Sequence, residues 1–347
     1  MKHKTLRSAA DLAEAGLIRA DNADGIRRVE ARYAIAVPPL VRDLINPGDA
    51  NDPIARQYIP DERELVVASG ERDDPIGDEP HSPVEGIVHR YRDRVLFKVV
   101  HTCPVYCRFC FRREMVGPGK NANLTPEAIA RAITYVSDHA EIREVIMTGG
   151  DPFILAPHRI ARLTSSLDEI PHVERIRWHT RVPVVEPHSV DASLVAALMP
   201  RRAQPVVALH ANHPREFTAQ AIEALKRMSD AGISLLSQSV LLKVVNDDAK
   251  TLSELVAAFL RHGVQPYYLH HGDLAPGTSH FRTTIREGIN LMAALRDRLP
   301  ETLLPTYVLD LPGGFSKVNV ESENAIETKP GQWRLRDEAG HWHDYQG

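Results

Sequence analysis

The sequence predicts an α/β fold built on a parallel sheet, either barrel-like or open and doubly wound. Three observations lead there. From residue 95 onward, short β-branched or apolar runs alternate with amphipathic helical stretches. Helix stop and start residues sit between the runs. Polar motifs come directly after the strands, at the strand ends where α/β folds build active sites.

Taken in chain order, residues 1–82 read as a helical region broken by loops. SAADLAEAGL and ADGIRRVEARYA carry apolar positions at helical spacing. INPGDANDPIARQYIPDERE is rich in Pro, Asp and Asn and reads as turns between short helices. The acidic loop GERDDPIGDEPHSP (70–83) is the junction to the strand-rich part of the chain. Residues 83–300 hold the expected strands VLFKVV (95–100), EVIMT (144–148), RIRWHT (175–180), PVVALH (205–210), SLLSQSVLL (234–242) and PYYLH (266–270). Amphipathic stretches such as TPEAIARAITYVSDHA and DAKTLSELVAAFLRHG lie between them. Thr125 and Pro126 suit an N-cap and first helical position, and Gly232 and Gly263 suit helix C-termini. Residues 301–347 add a seventh run, TYVLDL (306–311), then PGGFSK and a short tail.

Bulk composition excludes several classes. With 43% hydrophobic and 25% charged residues, the chain is an ordinary globular protein. A net charge of −4 gives no reason to expect nucleic acid as a partner. No apolar run approaches the roughly 18 residues that would span a membrane, and the basic N-terminus lacks the apolar segment of a secretory signal. A soluble, cytoplasmic protein is expected, with its cysteines kept as thiols.

All three cysteines lie within eight positions: Cys103, Cys107 and Cys110, spaced C-x3-C-x2-C. Thiolates are soft ligands suited to iron–sulfur clusters and zinc. Zinc would need a fourth ligand, for which His101 is nearby. A [4Fe–4S] cluster held by three thiolates leaves one iron open to a small molecule. Chance clustering of buried thiols is the third reading.

The spacing, with an aromatic residue before the last cysteine, resembles the signature of radical S-adenosylmethionine enzymes. The wider text resembles the lysine 2,3-aminomutase family, which includes the β-lysine-forming enzymes serving elongation factor P. The similar segments are SPVEGIVHRYRDRVLF, CPVYCRFCFRRE, MTGGDPF, TRVPVV, NHPREFT, AGISLLSQSVLLKVVND, PYYLHHGDLAPGTSHFRT and PTYVLDLPGGFSK. They run in family order from about residue 30 to 320. The resemblance implies a partial (β/α)6 radical-SAM barrel with an N-terminal helical region and a C-terminal extension carrying a pyridoxal phosphate lysine. It also implies a [4Fe–4S] cluster, S-adenosylmethionine and pyridoxal 5′-phosphate as cofactors.

Read bare, Lys317 is a lysine after a Gly-rich turn, a position that is usually solvated; such a turn can also bring backbone close to a cofactor. The resemblance makes Lys317 the Schiff-base lysine, although Phe315 and Ser316 stand where well-known members have glycine. Asp273 and Asp310 end two strands, where single aspartates often bind turns. The resemblance assigns them to the distal ammonium of the substrate, and two carboxylates suit one buried cation. Related glutamate aminomutases lack this pair, since it would repel a side-chain carboxylate. Arg112 could pair with Glu114 at the surface; the resemblance places it on the substrate α-carboxylate, which a guanidinium fork fits. Arg90 and Arg94 are a charged strand edge or, by resemblance, neighbours of the pyridoxal phosphate group. Gly149, Gly150 and Asp151 form a strand-end turn that by resemblance binds the methionine amino group of S-adenosylmethionine. His210 and Gln238 match family positions near the cofactors; His270 and His271 receive no role.

The implied enzyme is an isomerase that converts L-lysine to β-lysine by radical 1,2-amino migration. Alternatives are another basic amino acid, lysine destined for elongation factor P, or a non-enzymatic iron–sulfur sensor. An electron donor for the cluster and a homo-oligomeric state are expected. No zinc is expected, because the extra cysteines that hold it in some members are missing.

Overall fold

The computed structural model describes residues 4–117 and 123–346; Met1–His3 of the basic N-terminus lie outside them. The N-terminal region holds α1 (Ala9–Glu14), α2 (Ala23–Glu30), α3 (Pro39–Leu44) and α4 (Pro53–Tyr58). Ser8 caps α1 by accepting from Asp11 N, and Asp52 caps α4 by accepting from Ile54 N and Ala55 N. Each helix buries one stripe: Leu12, Val29, Val41, Ile54 and Tyr58 are all within 1% of full burial.

The main sheet begins with β1 (Ile87–Tyr91) and β2 (Arg94–Val100). It continues through α5 (Pro126–Asp138), β3 (Glu144–Gly149), α6 (Pro157–Asp168), β4 (Arg175–Thr180), α7 (Val182–Val185), α8 (Ala192–Ala197) and β5 (Gln204–His210). After these come α9 (Ala219–Asp230), β6 (Ser234–Val240), α10 (Ala249–Arg261), β7 (Val264–His270), α11 (Ile285–Arg296), β8 (Thr306–Asp310) and β9 (Lys317–Asn319). The expected caps hold: Thr125 accepts from Ala128 N with Pro126 at the first helical position, and Gly232 and Gly263 take φ +86° and +72°.

Strand order decides between the two α/β architectures. The nine strands are paired in sequence order, β1 to β9. Pairing is parallel from β2 to β8, with antiparallel β1 and β9 at the two edges. A doubly wound sheet reverses direction at a switch point; this one never does, so it curls. The edge strands do not pair with each other, so the barrel is partial. β3 is buried along its whole length, as a strand covered on both faces must be. β6 alternates buried and partly exposed positions, one face in the core and the other toward the barrel interior.

The short tail forms a sheet of its own. β10 (Ala325–Lys329), β11 (Gln332–Arg336) and β12 (Trp342–Gln346) pair antiparallel, separate from the main sheet. Its inward positions Trp333, Leu335 and Tyr345 are buried in the same apolar cluster as Leu12, Ile54 and Phe97.

Candidate active site

A cavity of about 490 Å³ opens at the C-terminal ends of the parallel strands, lined by residues from every strand between β1 and β9. Cys103, Cys107 and Cys110 line it from the loop after β2. Burial pushes all three thiols up, Cys107 to about 12, and in Cys103 the neighbouring Asp151 and the other two thiols add to the effect. Such a site needs a cationic group before thiolates become stable. Among the described residues, no group of three or more His, Cys, Asp or Glu is arranged to hold a metal ion. A cluster poses a different geometric demand, because each thiolate binds its own iron around a cavity. The donor set fits that case.

The cysteine loop is clamped by the N-terminal region. Glu64 is fully buried and accepts from Arg108 Nε at 3.0 Å; Arg113 Nη2 reaches the same carboxylate. Burial would raise Glu64, but the two guanidinium groups hold it below its ordinary value. Arg108 also donates to Ala34 O at 2.7 Å, and its own N–H reaches Gln57 O at 2.8 Å. Arg113 lies over the Tyr33 ring at 3.6 Å. Sequence reasoning treated Arg108 only as a letter inside the cysteine motif and missed Glu64 altogether.

Gly149 and Gly150 are required by close approach. Gly149 has φ +121°, and a Cβ there would lie 2.1 Å from Val100 O; one on Gly150 would lie 2.1 Å from Thr102 O. Asp151 is buried with both oxygens engaged: Oδ1 accepts from Thr180 Oγ1 at 2.7 Å and Phe153 N at 3.0 Å, and Oδ2 from Arg181 N at 2.7 Å. Its carboxylate therefore shapes the turn, and the backbone of the turn lines the cavity.

A band of charge crosses the cavity. Asp78, from the acidic 70–83 loop, is almost fully buried among three cations. Arg112 donates to it through Nε at 3.1 Å and Nη2 at 3.0 Å; Arg90 lies at 3.5 Å and Lys98 at 3.6 Å. Burial opposes the ionised carboxylate, but Arg112, Lys98 and Arg90 hold it below its ordinary range. Among the described residues, Arg112 Nη1 has only a long contact, 3.5 Å to Thr148 Oγ1. The alternative surface pairing of Arg112 with Glu114 gives way to Asp78, while Glu114 accepts from Arg32 and Tyr33. Arg90 also donates to Ile76 O at 2.6 Å, and its buried Nε has no hydrogen-bond partner among the described residues. Arg94 sits at the rim over the Tyr91 ring at 4.5 Å.

Lys317 opens β9 directly across from Asp310 at the end of β8. Its Nζ donates to Asp310 Oδ1 at 2.6 Å, and its N–H donates to Tyr91 Oη at 2.9 Å. The glycines before it allow a close approach of two backbone segments. Gly313 and Gly314 pack on the backbone of Gly77, whose Cβ position lies 2.4 Å from Gly313 C. Phe315 is exposed against His343, and Ser316 is buried. His270 Nδ1 donates to Asp310 Oδ2 at 3.2 Å. Burial would raise Asp310, but Lys317 and His270 hold it well below the carboxylate range. Burial and the Asp310 charge push Asp273 the other way, up to about 8.

His210, at the end of β5, and Gln238 on β6 occupy adjacent positions across the sheet and line the cavity. His179 was not singled out, yet its ring lies 5.4 Å from that of His210. Burial keeps both imidazoles neutral, His210 falling to about 3. The structure thus brings all fourteen expected site residues to one cavity. It adds His179, Arg181 and His270 to the lining and sets Asp78 and Lys98 next to Arg112, outside the lining; of these the sequence offered His270, without a role, and the acidic loop.

Residues 97–256 match the Radical SAM superfamily. The L-lysine 2,3-aminomutase of Clostridium subterminale is 36% identical over 91% of this chain and 76% of its own length. A putative L-lysine 2,3-aminomutase of Aquifex aeolicus is 41% identical over 85% of this chain and 80% of its own. Among solved structures, the likeness to a radical SAM methyltransferase from Sphaerobacter thermophilus is looser, with TM-score 0.45 and 21% identity over 64% of this chain and 68% of that one. With its three cysteines on the mouth of a partial barrel, and with relatives this similar along most of their length, the chain belongs to the lysine 2,3-aminomutase family of radical SAM enzymes.

Proposed function

We propose that the protein is an isomerase, a radical-SAM- and pyridoxal-phosphate-dependent 2,3-aminomutase that converts L-lysine to β-lysine. The observation that carries this reading is the cation site of Asp273 and Asp310 beside Lys317, in one cavity with the cysteines. Membership of the family implies the [4Fe–4S] cluster and S-adenosylmethionine. When bound, the cluster and S-adenosylmethionine supply a 5′-deoxyadenosyl radical, and pyridoxal phosphate supplies an imine that delocalises the migrating radical.

The residues divide that work among them. Cys103, Cys107 and Cys110 hold the cluster, and the backbone of Gly149–Asp151 accepts the methionine amino group. Arg90 and Arg94 supply positive charge for a phosphate; the orphaned Nε of Arg90 supports that role. Lys317 carries pyridoxal phosphate. Arg112 keeps its Nη1 donor for a substrate carboxylate while Asp78 fixes its fork. Asp273 and Asp310 hold the distal ammonium. His210 and Gln238 border the cofactors. Burial of these groups in a water-poor cavity positions the substrate and restrains side reactions.

Because Lys317 already balances one carboxylate, Asp273 stays protonated until a second cation arrives. This charge count favours a basic amino acid over an acidic one. Ornithine and arginine meet the same charge count; lysine is chosen as the substrate named in the relatives. A cytoplasmic homo-oligomer using a soluble reductant completes the proposal. The test is anaerobic reconstitution with iron, sulfide and pyridoxal phosphate, then S-adenosylmethionine, dithionite and L-lysine, with β-lysine sought by mass spectrometry. Failure to form it with cluster and pyridoxal bond both present would reject free lysine as substrate.

A further inference from the structure

His270 ends β7 beside Asp310 at the end of β8 and lines the cavity. One carboxylate touches three groups: Asp310 Oδ2 meets His270 Nδ1 at 3.2 Å, and Oδ1 meets Lys317 Nζ at 2.6 Å and Arg90 Nη1 at 3.5 Å. A carboxylate held ionised only accepts, so Nδ1 carries the ring proton. The ring is buried and neutral, so Nε2 keeps its lone pair. That nitrogen is buried and has no hydrogen-bond partner among the described residues. A buried polar atom left this way is destabilising unless a ligand satisfies it. The arrangement is a carboxylate–imidazole pair: its basic nitrogen is buried and unpartnered in a ring that lines the cavity, and its acidic end is linked to the lysine.

Resting on the assignment of Lys317 as the pyridoxal phosphate lysine, we infer that His270 is the catalytic base of amine exchange. Its Nε2 takes the proton that the substrate α-ammonium loses, and Asp310 passes a proton on to Lys317. The balance closes. An amino acid arrives as an ammonium and must become a free amine before its nitrogen bonds the cofactor carbon. One C–N bond forms, a second proton passes directly from the substrate nitrogen to the Lys317 nitrogen, and the bond to Lys317 breaks, so Lys317 leaves as a neutral amine. The substrate proton goes to Nε2, the Nδ1 proton crosses Asp310, and Lys317 ends as an ammonium docked on Asp310. That docked lysine is what the structure holds. Product release runs the relay backward and restores the ring tautomer.

The test measures exchange without radical turnover. Full-length protein is reconstituted with iron, sulfide and pyridoxal phosphate, mixed with L-lysine in the absence of S-adenosylmethionine, and quenched with borohydride at timed intervals. Mass spectrometry then reads how much pyridoxal remains fixed to the Lys317 peptide. His270→Asn keeps an N–H for Asp310 and removes the base; His270→Gln places an oxygen near Nε2 that cannot carry the proton. Both are expected to slow exchange on the order of a hundredfold, the low end of general base catalysis, with pyridoxal still trapped on Lys317 before lysine is added. The variants preserve opposite ends of the ring's bonding, so a folding defect in one leaves the other to decide. Exchange within about twofold of wild type in a folded variant overturns the role of His270 alone. Failure to trap pyridoxal on Lys317 in the wild type overturns it together with the assignment beneath it.

Discussion

The two aspartates proposed to hold the substrate's distal ammonium respond to the same substitution in opposite ways. Without substrate, Asp310 is ionised against Lys317, while burial and the Asp310 charge push Asp273 up to about 8. In the unfolded chain an aspartate ionises near pH 3.9. Between about pH 4 and pH 8 the folded state therefore binds one proton more than the unfolded state. Stability falls as pH rises through that window, by up to about 1.4 kcal/mol per unit. An amide is neutral throughout, so Asp273→Asn should be more stable than wild type, with an upper bound of about 4 kcal/mol at pH 7. Unfolding entropy of about 2.1 cal/mol/K per residue makes each kcal/mol worth about 1.4 °C in a chain of 347 residues, so the rise in Tm is at most about 6 °C. Asp310→Asn removes the counter-charge of Lys317 and Arg90. Breaking a buried pair costs about 3–5 kcal/mol. Asp273 can ionise in its place, so the lower end applies, a fall of roughly 4 °C. Calorimetric melts of the full chain at pH 5 and pH 7.5 check both. An Asp273→Asn protein that melts below wild type at pH 7.5, or by a margin that does not grow from pH 5, refutes the reasoning.

Four further outcomes are expected. The KM for L-lysine should rise as pH falls below about 8, by up to tenfold per unit, because Asp273 must lose its proton to receive the ammonium; a flat KM between pH 6 and 8 contradicts this. Glu64→Ala strands Arg108 and Arg113 without their carboxylate; a loss of about 3–5 kcal/mol is expected, read as a lower Tm together with less iron retained after reconstitution. Gly149→Ala forces a Cβ to 2.1 Å from Val100 O at φ +121°, so soluble yield and S-adenosylmethionine binding should both collapse. Lys317→Ala should abolish borohydride trapping of pyridoxal while the electron paramagnetic resonance signal of the reduced cluster stays; loss of both signals would point to a folding defect instead.

Much of the fold was legible from short-range pattern. EVIMT and RIRWHT lie within β3 and β4 because β-branched and apolar runs declare buried strands locally. Thr125 and Gly232 mark helix ends because their chemistry acts on neighbouring backbone. The cysteine spacing and the strand-end aspartates were visible for the same reason: a loop after a strand is a local event.

Other features lie between distant residues. A βαβ unit looks alike in a curled and a doubly wound sheet, so only the order of strand pairing separated them. The 70–83 segment read as an acidic junction; that Asp78 sits under Arg112 depends on how the loop folds back over 34 positions. That the glycines before Lys317 pack against Gly77 depends on the same loop folding back on them. The tail read only as short, because its period-two apolar positions, Trp333 and Leu335, span a single short strand. By itself the sequence determined the parallel strands, their order and the residue types at the strand ends, but not β1, β9 or the strands of the tail. Tertiary structure alone decided which charges meet: one carboxylate ionised on a lysine and an imidazole, the other left holding a proton. That division arises because burial and neighbouring charge, rather than residue identity, set which ionic form is stable.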